Sequence, residues 1–224
     1  MTNPIYRMKH VEDQLEVIRK YPLASLVTCD GGSFFVTQVP LYLRDAGAGH
    51  GDKEEGVLVF RGHLSKGNPQ VHHLMKHGGA VSGLVMWRGP DAYISPHFFS
   101  RKAIDGAVVP TWDYVVVEGQ GTVTLLDKRH DVEDAVSTLS NLQEQRTGGH
   151  WTVSDAPREF LDSQLQKIVG IEITVTKPLV GRWKLSQDAS SADVCTIVRG
   201  LASRGETDAA ETIAKQRGGC SVGG

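Results

Sequence analysis

Apolar and polar positions alternate along this chain with two different periods, and the switches between them mark out its elements. Met8, Val11, Leu15 and Ile18 recur at helical spacing and Pro22 closes the run, so a helix is expected within residues 1–21. Leu23 to Cys29 is apolar and β-leaning, Asp30-Gly31-Gly32 is turn chemistry, and Phe34 to Leu43 is again β-rich, which predicts a hairpin. Residues 44–56, rich in Gly and charge, read as a solvent loop. Val57 to Phe60 predicts a strand and Val71 to His77 an amphipathic helix, ended by Gly78-Gly79. Ala80 to Trp87 and Asp91 to Ser95 read as two strands separated by Arg88-Gly89-Pro90.

The longest β run is Val109 to Leu126, with Gly119 and Gly121 as expected bulge or bend sites. Val132, Val136, Leu139 and Leu142 mark a helix, residues 157–166 a second one, and Ile168 to Thr176 a strand. An irregular arm is expected over 179–187, helices over about 190–203 and 206–217, and a loose tail over 218–224. Many short strands with a single helix between the early ones do not fit a doubly wound α/β sheet. They predict a mainly β (α+β) fold, an antiparallel barrel with peripheral helices. Without repeats or a clean linker, the expectation is one domain over 1–224: the N-terminal helix within 1–21, a barrel over about 22–187 with inserted helices, and C-terminal helices over about 188–217.

Composition narrows the function classes. The 224 residues are 40% hydrophobic and 22% charged, with a formal net charge of −2, so the chain has no overall electrostatic footprint for nucleic acid. The N-terminus lacks the apolar core of a signal peptide, and no run is long enough to span a bilayer. Cys29, Cys195 and Cys220 are far apart, odd in number and outside any CxxC spacing. Unpaired thiols and a cytoplasmic location are the expectation.

The segment Gly62-His63-Leu64-Ser65-Lys66-Gly67-Asn68-Pro69-Gln70 carries the most chemistry. Asn68 is a good N-cap and Pro69 suits the first helical position. Gly62 and Gly67 would let the backbone approach a ligand, while Ser65 and Lys66 add a hydroxyl and a cation. Bare N–H groups, a positive dipole end and a lysine together suit a phosphate. A capped loop with a solvated lysine accounts for the same nine residues. His72, His73 and His77 invite a metal reading, but no Cys or HExxH pattern completes a ligand set, so no metal site is expected. His63 and His97 are better placed as an acid, a base or an axial ligand. Hydrolytic and nucleotide motifs such as GxSxG, the P-loop and GxGxxG are absent.

Four blocks, GHLSKGNPQ (62–70), RGPDAYISPHFF (88–99), VPTWDYVVVEGQG (109–121) and IVGIEITVTKPLVGRWKLSQD (168–188), resemble in order and spacing the PaiB-type FMN-binding proteins, often described as negative transcriptional regulators. The resemblance covers about residues 22–201 and extends to the wider flavin-binding split barrels. It implies a six-stranded antiparallel split barrel and a homodimer with two FMN sites in the subunit interface. It places the phosphate at Ser65, Lys66 and Asn68, beside His63. Thr111 and Trp112 fall in the VPTW block, and Trp183, Lys184, Ser186 and Gln187 would lie near the flavin of the partner subunit. Strand aromatics more often fill cores, and Trp112, between polar neighbours, is the best exception.

The implied function is a flavin-dependent oxidoreductase acting on a small organic substrate. Haem is a lesser option, because some split-barrel relatives handle it. The alternatives are a PaiB-like regulator or sensor without catalysis, although no helix-turn-helix or basic recognition helix supports direct DNA contact, and a flavin-free enzyme using the barrel pocket. This chain departs from the family pattern at Gln38, Asp113, Glu118 and Asp188, and has Lys66 where an Arg is common. Those changes make the expected pocket more anionic unless Arg61, Arg101 or Lys102 compensates. With His97, Asp113 and Glu118 are the catalytic candidates.

Overall fold

The computed structural model describes residues 3–44, 57–218 and 220. The expected loop over 44–56, apart from Arg44, and most of the tail over 218–224 lie outside the described residues. A 3-10 turn, Pro4–Tyr6, precedes helix α1, Val11–Lys20. Strands β1 (Leu23–Asp30), β2 (Ser33–Pro40), β3 (Tyr42–Leu43) and β4 (Val59–Ser65) lead into helix α2 (Pro69–Lys76). Strand β5 (Ala80–Ile94), a short helix α3 (Arg101–Ile104) and strand β6 (Thr111–Leu126) follow. Helices α4 (Arg129–Thr147) and α5 (Arg158–Leu165), strands β7 (Ile168–Val175) and β8 (Val180–Lys184), and helices α6 (Ser191–Ser203) and α7 (Thr207–Arg217) complete the chain.

The strands form one sheet in the order β2-β1-β5-β6-β7-β4-β3, with β8 on β6. The β1–β2, β1–β5, β3–β4, β4–β7 and β6–β7 pairs are antiparallel. Its two outer strands, β2 and β3, are separated in sequence only by Leu41, so the sheet curls back on itself. The mostly antiparallel sheet with peripheral helices is the architecture expected; there are eight strands rather than six, among them the two-residue β3 and the five-residue β8, which forms within the stretch expected to be an irregular arm. Contacts divide the chain into two compact units, Ile18–Trp87 with Glu118–Leu179, and Met1–Val17 with Arg88–Val117 and Val180–Gly224.

In the first unit the inner face of the sheet is apolar. Leu26, Val39, Phe60, Val85, Trp87, Val123 and Ile173 are all nearly inaccessible, and the Phe60 and Trp87 rings meet at 4.7 Å. Burying each such side chain contributes roughly 1.5–3 kcal/mol before entropy is counted. On the outer face Arg61 of β4 meets Glu172 at 2.8 Å and Asp134 of α4 at 3.6 Å. Val132, Val153, Leu161 and Leu165 form a satellite core beside Ile168.

In the second unit α6 packs on the segment after β5. Gly200 leaves room for the Phe98 ring, which a Cβ would meet at 2.1 Å. Asp193 of α6 accepts from the Ser100 N–H at 2.8 Å, and the Arg204 guanidinium lies 4.9 Å from the Phe98 ring centre. Cys195 and Cys220 are joined by a disulfide, with Cα atoms 5.4 Å apart, which corrects the expectation of three free thiols. Cys29 is the free, exposed cysteine.

Other differences have local causes. The N-terminal helix starts at Val11 rather than near Met8: Met8 is buried in extended chain, with its N–H donating to the Gly181 carbonyl at 2.9 Å. The 88–90 break is absent, since β5 runs continuously to Ile94 through Gly89 and Pro90. Strand β4 does not stop at Phe60. It continues through Gly62 and His63 to Ser65, because each of these residues is paired with β7, Gly62 opposite Ile171 and His63 opposite Gly170.

Candidate functional site

The turn between β4 and α2 forms as expected at its helical end. Asn68 is the N-cap of α2, its Oδ1 accepting from the Gln70 N–H at 2.8 Å, and Pro69 occupies the first turn. Its amide Nδ2 donates to Thr37 Oγ1 at 3.1 Å, tying the cap to β2. Ser65, Lys66 and Gly67 are exposed. The backbone donors are not bare, however. The Lys66 N–H donates to the Lys167 carbonyl, Gly67 to Ser65 Oγ, and Asn68 to the Ser65 carbonyl, while Val71 donates to the Asn68 carbonyl. A short turn satisfies its own donors when a cap and a serine lie within reach. The groups left to an anion are the Lys66 ammonium, without an ion-pair partner among the described residues, the Ser65 hydroxyl proton and the positive end of α2. They fit a phosphate, with the lysine carrying more of the grip than expected. Gly62 is no ligand-facing residue: a Cβ there would lie 2.5 Å from the Pro40 carbonyl oxygen.

His63 is drawn away from the turn. Strand alternation puts it on the same β4 face as Arg61, and its Nδ1 is buried without a hydrogen-bond partner. Burial holds its pKa below the usual histidine value, which favours the neutral imidazole. Arg61, considered as a compensating cation, is committed to Glu172, Asp131 and Asp134. Arg101 is paired with Asp105 at 3.1 Å.

The second group of candidates folds around Asp113. This carboxylate is 1% exposed. Ser186 donates its hydroxyl to Asp113 Oδ2 at 2.7 Å, and the Lys184 ammonium sits 3.5 Å from Oδ1. Lys184 also donates to Thr111 Oγ1 at 2.6 Å and to the Trp112 carbonyl at 2.9 Å, so its three donors are used. Ser186 is held at φ +53°, the sole non-glycine with positive φ among the described residues. Gln187 closes the arm on itself, accepting from Leu185 N–H and donating to the Trp183 carbonyl. Desolvation raises the Asp113 pKa above the normal carboxylate range, and the Ser186 bonds and Lys184 oppose that shift only in part. Asp113 is thus enclosed and bonded to Lys184 and Ser186.

Trp112 differs from its neighbours. It is 56% exposed and meets Tyr93, 40% exposed, edge to face at 6.0 Å. His97 is exposed on a 3-10 turn, its Nδ1 3.2 Å from Ser95 Oγ. Gln38 is exposed and bonded to Ser25, and Asp188 is exposed. Glu118 is half-buried. Sequence reasoning missed Asp30, which approaches His73 and His77; the only signal available was its place before the double glycine of the hairpin.

The curled antiparallel sheet with helices around it is the fold of the flavin-binding split barrels. A solved structure described as the FAD and heme binding protein from Mycobacterium smegmatis superposes with a TM-score of 0.55 at 12% identity, covering 84% of this chain and 78% of its own. A family model described as "Putative FMN-binding domain" matches residues 1–177, and the chain belongs to that family. Among relatives, the uncharacterized protein AN0679 of Emericella nidulans is 29% identical, over 93% of this chain and 94% of its own length. The protease synthase and sporulation protein PAI 2 of Bacillus subtilis is 26% identical, over 88% and 86%. Among the described residues, no helix is long and apolar enough to cross a membrane.

Proposed function

We propose that this protein binds FMN, holds its phosphate at Ser65, Lys66 and Asn68, and works as a flavin-dependent oxidoreductase on a small organic substrate. The observation that carries this reading is the exposed Lys66 ammonium, without an ion-pair partner among the described residues, in the turn just before α2 of a chain that belongs to an FMN-binding family. Bound flavin would supply hydride or electron transfer. Around it, Lys66 neutralises the phosphate, the Ser65 hydroxyl donates to a phosphate oxygen, and the Asn68–Thr37 pair holds the turn in place. Taken by itself, the second unit exposes flat aromatic surface at Trp112 and Tyr93, the kind of surface on which a planar ring stacks. His97, exposed in that same unit, is the proton-transfer candidate we retain. Asp113 and Lys184 act as positioning residues for Thr111 and Ser186.

A homodimer belongs to the same proposal. Phe34 and Val36 of β2 are 72% and 61% exposed, and cross-strand pairing aligns them with Cys29 and Val27 of β1, while Leu84 of β5 lies opposite Val27. A contiguous apolar sheet face of this kind is suited to a second copy of the chain. The regulatory alternative comes from the resemblance of the four sequence blocks to the PaiB-type proteins. The basic residues of α6 and α7 do not favour direct DNA contact: Arg204 bonds the Tyr93 carbonyl and Glu206, Lys215 bonds Glu16, and Arg217 bonds the Ala189 carbonyl.

Titrating the purified chain with FMN, followed by quenching of flavin fluorescence, tests the cofactor claim. Saturable one-to-one quenching is expected for the wild type. Lys66→Ala should weaken it by about tenfold or more, equivalent to about 1.4 kcal/mol of lost binding. Absence of quenching in the wild type, or an unchanged affinity in Lys66→Ala, would overturn this assignment.

A further inference from the structure

At the opposite end of α2 from Lys66, three side chains from two parts of the chain converge. Asp30 closes β1, and the two-residue loop Gly31-Gly32, both at positive φ, turns the chain so that Asp30 stands at the hairpin mouth. His73 lies on α2, and His77 is the C-cap residue, stopped by Gly78 and Gly79 at φ +72° and +84°. Asp30 Oδ1 is 3.4 Å from His77 Nε2, and Asp30 Oδ2 is 3.8 Å from His73 Nδ1. The ligand atoms of the three residues all lie within 4.8 Å of one another.

A second observation points to a ligand there. The His73 side chain is 2% exposed, yet neither of its ring nitrogens has a hydrogen-bond partner. A buried imidazole with two unsatisfied nitrogens carries a desolvation cost that a ligand would relieve. The neighbours explain its orientation but not its polarity. Phe35 stacks on the ring at 4.9 Å and 10°, and His77 meets it edge-on at 4.8 Å. The Nδ1 edge is thereby aimed at the Asp30 carboxylate, at a distance too long for a hydrogen bond.

We propose that Asp30, His73 and His77 bind a divalent transition metal of borderline softness, with Zn2+ the best match to two imidazoles and one carboxylate. Zinc ligands at about 2.0–2.1 Å from the ion stand roughly 3.3 Å apart in tetrahedral geometry. The 3.4 Å and 3.8 Å separations run to different Asp30 oxygens, and with one ligand atom from each residue the set spans up to 4.8 Å, so side-chain rotation must draw the three together around an ion. Three protein ligands leave one position for water. The Lys76 ammonium, 2.9 Å from Asp30 Oδ2, occupies the carboxylate and competes with the ion. Metal binding would pin the β1–β2 hairpin tip to the end of α2. This site is independent of the flavin proposal and shares no residue with it.

The test is titration of the untagged full chain with Zn2+ against a chromophoric chelator, and with Co2+ followed by visible absorption. One equivalent should bind, and Co2+ should give ligand-field bands of a low-coordinate site. Because His73 is buried and its replacement could unfold the protein, the variants are Asp30→Asn and His77→Ala, both nearer the surface. Each should weaken Zn2+ binding by about tenfold or more. Lys76→Ala should change it in the other direction, strengthening binding several-fold by freeing the carboxylate. A wild type that binds no Zn2+, or an affinity indifferent to both Asp30→Asn and Lys76→Ala, would overturn the proposal.

Discussion

Asp113 concentrates the electrostatic tension of the chain in one residue. Its carboxylate is buried, and desolvation raises its pKa against the pull of Ser186 and Lys184. The sign of its contribution follows from linkage: a carboxyl with a raised folded-state pKa keeps its proton longer in the folded chain. Its stabilising contribution is complete below the unfolded value of about 3.9 and is lost as pH rises through the raised folded value. Asp113→Asn removes the buried charge while leaving a hydrogen-bonding group beside Ser186. Lys184 keeps Thr111 Oγ1 and the Trp112 carbonyl. Thermal melts should show the variant more stable than the wild type at pH 8, with the difference vanishing near pH 4. A gain of a few degrees is expected, since about 1 kcal/mol moves Tm by roughly 2–4 °C at this chain length. An equal effect at both pH values would refute the linkage. The identity of Asp113 as a departure from the family pattern was legible in the sequence. That it faces inward and is covered by the 184–187 arm was not, because the bonds to Lys184 and Ser186 span more than seventy residues.

At the scale of elements, the β4–α2 junction shows how two glycines of one motif take different duties. Both Gly62 and Gly67 were read as allowing close approach to a ligand. Gly62 instead allows the close approach of β4 to the end of β2, where Pro40, Val39 and Leu41 leave no room for a Cβ. Gly67 has only Ser65 Oγ nearby, at 3.8 Å. Gly62→Ala should therefore destabilise the protein by about 1–3 kcal/mol or more through overpacking, while Gly67→Ala should stay within about 0.5 kcal/mol of the wild type. Urea unfolding midpoints decide between them, and similar midpoints for the two variants would contradict this account. The helix itself was readable from Asn68, Pro69 and Gly78-Gly79, since caps are local chemistry. The length of β4 was not, because its pairing partner, β7, lies about a hundred residues later.

For the whole molecule, the open question of assembly centres on the exposed face of β2, β1 and β5. Phe34 and Val36 project from the outermost strand, where apolar exposure invites association. The proposed homodimer predicts a solution mass of twice 24.4 kDa by light scattering. Val36→Glu should shift the population to the single-chain mass without changing far-UV circular dichroism. A wild type already at the single-chain mass, or a Val36→Glu chain still at twice that mass, would count against this face. The disulfide between Cys195 and Cys220 also changes the picture of the molecule. Cysteine spacing alone argues against a disulfide framework and for a reducing compartment, and the fold instead brings Cys195 of α6 together with Cys220, three residues past the end of α7.

Local chemistry written in the residues themselves settled where the six longer helices lie, though not the four-residue α3, and also where the double-glycine hairpin turns, how α2 is capped and which blocks carry the family likeness. These features need only neighbours a few positions away. Tertiary structure alone decided that the turn at Ser65–Gln70 consumes its own backbone donors, that Asp113 is enclosed, and that Asp30 confronts His73 and His77. The last two, and the bond from Lys66 N–H to the Lys167 carbonyl within the turn, depend on groups far apart in the chain, whose meeting is set by strand pairing and packing rather than by any local pattern.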